Sequence, residues 1–335
     1  MKLYQKNGYV DIRAILKNGL PFNFVVGGRA TGKTYTSLKT VVEDGVKFLF
    51  MRRTQSQADL INKPEFSPFK SLNRDLGLDV KSKPITKYNA GFYDGDNSEP
   101  IGYTAALSTI SNMRGFDASD VELLIYDEFI PEVHERPLKN EGAAFFNAYE
   151  TVNRNRELSG RKPLQVLCLA NANDITNPIF VELGLVSKAE TMLRRGQEYS
   201  IDKRRGVGVY MLNNSPISKV KRDTALYKLT SGTEFSRMSL DNSFTEIENT
   251  QSKSRPIVEY KPLVRIGELT IYQHKSNGRL YVSTHMSGSC TTYTASPNDL
   301  DRFNRAFGWV RVEQLENNVD YEESFCEILL TKYLK

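Results

Sequence analysis

The sequence predicts an α/β protein built on a mostly parallel sheet, and three observations carry the prediction. Apolar runs of strand length recur at 22–28 (FNFVVGG), 47–53 (KFLFMRR), 121–129 (VELLIYDEF) and 164–171 (LQVLCLAN). Segments that can form helices fall between them, at 33–43 and from about 141 to 157. A glycine-rich loop, GGRATGKT, joins the first run to the first helix. Strands that alternate with helices are joined by crossovers, and crossovers make neighbouring strands parallel.

Each element has a local reason. The four runs are nearly continuous in apolar residues, as strands buried on both faces must be. Between 87 and 107, Asn-Ala-Gly and Asp-Gly-Asp turns separate the short runs GFY and GYTAAL, which predicts antiparallel hairpins inserted between the parallel strands. Past residue 173 the pattern weakens, and 188–255 reads as a basic linker with a small helical subdomain at its start. From 256 the chain is β-rich again: 263–274 (LVRIGELTIYQH), a Ser276-Asn277-Gly278 turn, then 279–285 (RLYVSTH) predict a hairpin. A helix is expected over 297–307, with Ser296 as N-cap and proline at its first position, and another over 321–334. The predicted domains are 1–187, 188–255 and 256–335.

The bulk numbers exclude several classes. Hydrophobic residues make up 39% and charged residues 25% of 335 residues, an ordinary globular balance. No apolar run approaches the roughly 20 residues of a bilayer span, and MKLYQKNGYVDIRAIL lacks a signal-peptide core, so a soluble protein of a reducing cytoplasm is expected. Cys168, Cys290 and Cys326 have neither disulfide nor zinc spacing. The net charge is +5, but residues 188–237 alone hold eleven Lys or Arg against five acids. A polyanion such as DNA or RNA is the natural partner for that concentration, although a solvated connector would look the same.

The chemistry starts at Gly27. Gly27, Gly32, Lys33 and Thr34 complete the G-x-x-x-x-G-K-[ST] pattern, in the strand-loop-helix setting it requires. Glycines let successive N–H groups face a phosphate, Lys33 reaches β/γ oxygens, and Thr34 offers its hydroxyl to Mg2+. Arg29 is unusual bulk in such a loop, placed either to sense the γ-phosphate or to face solvent. The run LLIYDE ends in Asp127, placed for the metal, and Glu128, placed to polarise an attacking water, which favours hydrolysis over phosphate transfer. At the tip of the next strand Asn171 fits a γ-phosphate sensor, with Asn173 its rival. In Asn153-Arg154-Asn155-Arg156 two arginines two apart cannot face the same way on a helix, so one anchors and one reaches; from the chain alone a structural ion pair is the commoner explanation. Arg52, Arg53 and Arg114 are read as lining the nucleotide site or the DNA path, or as surface arginines.

Together GGRATGKT, FLFMRRT, LLIYDEFI, TVNRNRE, CLANA with Asn177-Pro178 downstream, and SGTEFSRMSLDN (231–242) resemble the genome-packaging ATPases of phi29-like podoviruses, compact relatives of large terminase subunits. The resemblance implies a RecA/FtsK-like ASCE P-loop ATPase domain, a linker region, and a small α+β C-terminal domain resembling a truncated, inactive RNase H-like nuclease. It implies that Gly27, Gly28, Arg29, Ala30, Thr31, Gly32, Lys33 and Thr34 bind ATP, and that Thr34 and Asp127 hold Mg2+. Lys33, Glu128 as base, Asn171 and Arg154 as trans-acting finger would be catalytic, with Arg156 and Arg114 as further trans candidates. The implied activity is ATP-driven translocation of double-stranded DNA into a preformed prohead by a homo-oligomeric ring, of five by resemblance, with hydrolysis at subunit interfaces. Packaging RNA and the portal vertex are the implied further partners, in the host cytoplasm and away from any membrane. A ring translocase or helicase outside packaging, or a nucleotide-gated assembly scaffold, are the alternatives.

Overall fold

The computed structural model describes residues 1–113, 116–132, 135, 138–172, 175–233, 236, 239–240 and 255–334. They divide into two units. One holds the described residues of Met1–Asn173 and Met192–Ser243, the other those of Asp174–Thr191 and Phe244–Lys335.

The first unit is a nine-stranded mixed sheet. Its strands are β1 (Phe22–Gly27), β2 (Phe48–Arg52), β3 (Val80–Pro84), β4 (Ala90–Asp94), β5 (Gly102–Ala106), β6 (Leu123–Asp127), β7 (Gln165–Ala170), β8 (Tyr199–Asp202) and β9 (Val207–Leu212), in the order β3-β4-β5-β2-β6-β7-β1-β9-β8. The run from β5 to β9 is parallel throughout. β7 therefore stands between β1, which leads into the phosphate loop, and β6, which ends at Asp127.

Alternation along the strands builds two cores. Val25 and Phe50 pack with Leu38 and Val41 of helix Lys33–Glu43 in one apolar cluster. On the other face Phe145 of helix Glu141–Asn153 stacks on Tyr126, with ring centroids 5.9 Å apart, and Phe24 meets Phe129 at 5.7 Å. Burying such a ring contributes about 1.5–3 kcal/mol.

Two expectations are corrected by the sheet. The antiparallel strands β3 and β4 lie at its edge, not between the parallel strands, because both sides of every interior strand are already taken by crossover partners. Part of the segment read as a linker is sheet: β9 is buried along its whole length and pairs in parallel with β1, and β8 pairs antiparallel with β9. Glycines in GVGVY hide a core strand from a hydrophobicity reading.

The second unit carries β10 (Tyr260–Ile266), β11 (Leu269–His274), β12 (Leu280–Ser283), β13 (Thr291–Tyr293) and β14 (Val319–Tyr321), in the order β13-β10-β11-β12-β14. The run 263–274 is itself a hairpin, broken at Gly267 (φ +53), so β10, β11 and β12 form a meander. Helix Pro297–Phe307 starts as expected, with the Ser296 side chain accepting from the Asp299 N–H. No helix among the described residues is long and apolar enough to cross a membrane.

Candidate active site

The phosphate loop begins where β1 ends. Gly32 caps helix Lys33–Glu43 at φ +82, and a Cβ there would lie 2.6 Å from the Tyr9 ring, so conformation and space both demand glycine. Gly28 is pressed against the Ser239 carbonyl, where a Cβ would stand 2.3 Å from the oxygen, and the Arg29 N–H donates to the same carbonyl at 3.2 Å. The Arg29 side chain pairs with Glu132 at 2.7 Å. Val10 N–H donates to the Thr31 carbonyl at 3.0 Å, which ties the N-terminal turn to the loop.

Lys33 is buried inside this curl. Its Nζ donates to the carbonyls of Gly27 at 2.8 Å and Gly28 at 2.9 Å, and to Asn171 Oδ1 at 3.2 Å. Burial pushes its ammonium down to about 8, although Asp127 and Glu128 pull the other way. Thr34 Oγ1 donates to Asp127 Oδ1 at 3.0 Å. A hydroxyl and a carboxylate side by side are hard oxygen donors, which suits Mg2+ completed by phosphate oxygens and water.

Glu128 follows β6 at φ +58, a turn that takes its side chain off the strand line and into the cleft. Desolvation raises its carboxyl above the usual range, while Arg52 lowers it. Arg52, the last residue of β2, donates to Asp127 Oδ2 at 2.9 Å and to Glu128 Oε2. Register explains the meeting: β2 is the parallel neighbour of β6, so their carboxyl ends coincide. A cavity of about 630 Å³ opens over these groups, lined among others by Tyr9, Arg29, Lys33, Asp127, Glu128 and Asn171. The arrangement can hold a triphosphate at the loop, a divalent cation at Thr34 and Asp127, and a water beside Glu128.

Arg154 and Arg156 lie elsewhere. Arg156 is 6% exposed and donates to the Ser119 carbonyl at 3.0 Å and to that of Val121, just before β6. Arg154 leaves 44% of its side chain exposed, donates to the Phe116 carbonyl at 2.6 Å, and has an unusual backbone at φ +48, ψ −132. Both arginines are thus at the amino ends of the parallel strands, whereas Lys33, Asp127 and Asn171 are at the carboxyl ends. The five residues of β6 put about 17 Å between the two ends. Neither arginine reaches the cavity of its own chain. Arg114 and Asn173 lie outside the described residues.

A model of the family described as podovirus DNA encapsidation protein (Gp16) matches residues 4–311. The chain belongs to this family. Among its relatives, the DNA packaging protein of Bacillus phage phi29 is 27% identical over 293 residues, 83% of this chain and 80% of that one. The DNA packaging protein of Bacillus phage B103 is 29% identical over 297 residues, 83% of each chain. In fold, the encapsidation protein described here is similar to a chain of the bacteriophage phi29 viral genome packaging motor assembly, with TM-score 0.65 at 19% identity over 100% of both chains. The likeness to the Phi-28 gp11 DNA packaging motor is close to that, with TM-score 0.63 at 19% identity over 98% of each. This encapsidation protein is a viral DNA-packaging protein.

Three features of the encapsidation protein's site were left open or missed by the sequence. Arg52 was read as lining the nucleotide site or the DNA path, or as a surface arginine, and the β2–β6 register selects the first by bringing it to both acids. Arg53, its neighbour, is 1% exposed and bonds Glu141 and Glu135, so it faces neither solvent nor the cavity. Tyr9 belongs to a segment with no motif at all; only the turn at Gly8 (φ +85) lays its ring over the loop.

Proposed function

We propose that this encapsidation ATPase works as a ring of identical subunits, five by family resemblance, in which every ATP is hydrolysed at an interface. The loop from Gly27 to Thr34 holds the triphosphate, with Lys33 on the β/γ oxygens. Thr34 and Asp127 hold Mg2+, which supplies charge neutralisation at the phosphates when bound. Glu128 orients and deprotonates the attacking water, and its desolvated carboxyl supports that role by being more basic than an exposed glutamate. Asn171 links the γ-phosphate position to β7 through its bond with Lys33. Arg154 of each subunit stabilises the transition-state charge in the neighbour's site.

The observation that carries the ring reading is the placement of Arg154 and Lys33 at opposite ends of one sheet. A head-to-tail contact would bring the amino end of one sheet to the carboxyl end of the next, and repeated contacts of that kind close into rings. The second unit is assigned to packaging RNA and the portal vertex, without nuclease activity, and the protein to the host cytoplasm while it docks on the prohead. The test is ATP-dependent protection of DNA from nuclease in the presence of empty proheads. Rings mixed from Arg154→Ala and Lys33→Ala chains should regain part of the activity that each variant alone has lost. No recovery at any mixing ratio would remove Arg154 from its role.

A further inference from the structure

The basic window of 188–237 is not one surface, because β9 runs through it. Lys203, Arg204 and Arg205 form the turn between β8 and β9, at the amino end of the parallel strands. Lys219, Lys221, Arg222 and Lys228 follow β9 at its other end, where Lys221 Nζ donates to the Arg29 carbonyl at 3.3 Å and lies 5.0 Å from the Tyr227 ring centroid. Six residues of β9 separate the two groups by about 20 Å. The second group therefore borders the nucleotide loop, and the first does not.

Register gives the first group company. Phe22 N–H donates to the Gly206 carbonyl at 3.1 Å, and Val166 N–H to the Pro21 carbonyl at 2.6 Å. The starts of β9, β1 and β7 are thus stitched side by side, and neighbouring strands are about 4.8 Å apart. Lys162, exposed three residues before β7, belongs to the same end of the sheet as the β8–β9 turn, some 40 residues later in sequence. Lys162, Lys203, Arg204 and Arg205 are all exposed; the nearby Asp202 carboxylate accepts from the Arg205 backbone N–H at 3.0 Å. Exposed cations at the amino ends of neighbouring strands fit an array of phosphates.

We propose that this edge, formed by Lys162 and the Lys203-Arg204-Arg205 turn, is the surface on which the ATPase unit contacts the phosphates of duplex DNA. The assignment rests on the DNA-packaging reading of the protein. Contacts on the backbone ignore sequence, as moving any genome segment requires. The 203–205 turn stands three strands away from β6, ahead of which Arg154 bonds Phe116, so the DNA edge and the subunit contact share the amino end of the sheet without sharing residues, and the edge can be altered while Lys33 stays in place.

The test uses the full chain and fluorescently labelled duplex DNA, titrated across a salt series. The triple variant Lys162→Ala, Lys203→Ala, Arg204→Ala should lower the slope of log affinity against log salt by about 2–3, since each phosphate contact contributes roughly 0.9. Its DNA-free ATPase rate should stay at the wild-type value. Lys219→Ala with Lys228→Ala should leave the slope unchanged. An unchanged slope in the triple variant overturns the edge assignment, and so does a loss confined to a hairpin RNA probe. Failure of the wild-type chain to bind duplex DNA would overturn the edge together with the DNA reading beneath it.

Discussion

Thr34 Oγ1 donates to Asp127 Oδ1 at 3.0 Å, which joins the first turn of the phosphate-loop helix to the end of β6. Neither residue is near the other in sequence, yet together they make the oxygen pair a divalent cation needs. Asp127→Asn should reduce ATP affinity in Mg2+ to the level that wild type shows in EDTA, with little change in the EDTA value itself. An equal loss under both conditions would mean that Asp127 shapes the loop rather than holds the metal.

Burial lowers Lys33 to about 8, below the ordinary lysine value. The unfolded chain then binds more protons than the folded one from about pH 8 up to the ordinary value near 10.4, so stability of the nucleotide-free protein rises with pH across that window. Below pH 8 the cost of the buried charge is fully present. ATP needs the charged form, so its binding at pH 8.5 should take up roughly 0.7 of a proton, and almost none at pH 6.5. Titration calorimetry in buffers of different ionisation enthalpy reads this directly.

Glu128→Gln should keep ATP binding and lower turnover by about 10²–10⁴, the usual worth of a general base. The carboxyl is raised by desolvation, so the wild-type rate should fall on the acid side at a pH above the ordinary glutamate range. Wild-type turnover in the glutamine variant would end this assignment.

Arg154 and Arg156 should part company on stability. Arg154 at φ +48, ψ −132 is a conformation that only glycine adopts freely, so Arg154→Gly should raise stability by about 1 kcal/mol. The same variant should lose hydrolysis in homogeneous rings. Arg156→Ala should cost about 1–2 kcal/mol by leaving the Val121 carbonyl short of a donor, while that of Ser119 keeps Arg161 at 2.9 Å. Thermal unfolding of both variants decides it; two equal changes would contradict the division of labour.

Arg53 donates to Glu141 at 2.7 Å and 3.1 Å in a place where both side chains are fully buried. Glu141→Ala should cost about 2–3 kcal/mol, because the buried guanidinium would lose two charged hydrogen bonds and keep Glu135. Denaturant unfolding with an unchanged midpoint would refute that.

Local elements of the first unit were legible because their signals are local. The loop glycines, Lys33 and Thr34 are adjacent, and Asp127 and Glu128 close an unbroken apolar run. The β9 strand was not legible, since Gly206 before it and Gly208 within it dilute the apolar run and its partner β1 lies some 185 residues earlier. The hairpin within 263–274 was hidden for a related reason: a single Gly267 is a weak stop unless the partner strands are known.

By itself the sequence determined that Gly27–Thr34 forms a phosphate-loop pattern between a strand and a helix, that two acids end a buried strand, and that basic residues gather after residue 188. These follow from spacing along the chain, which the backbone converts directly into strand, turn and helix. Only the tertiary structure decided which strand ends meet. The order β2-β6-β7-β1-β9 places Arg52 on Asp127, Asn171 on Lys33, and Arg154 at the far end from both. Strand order and register are set by burial between residues distant in sequence, so no local pattern can carry them.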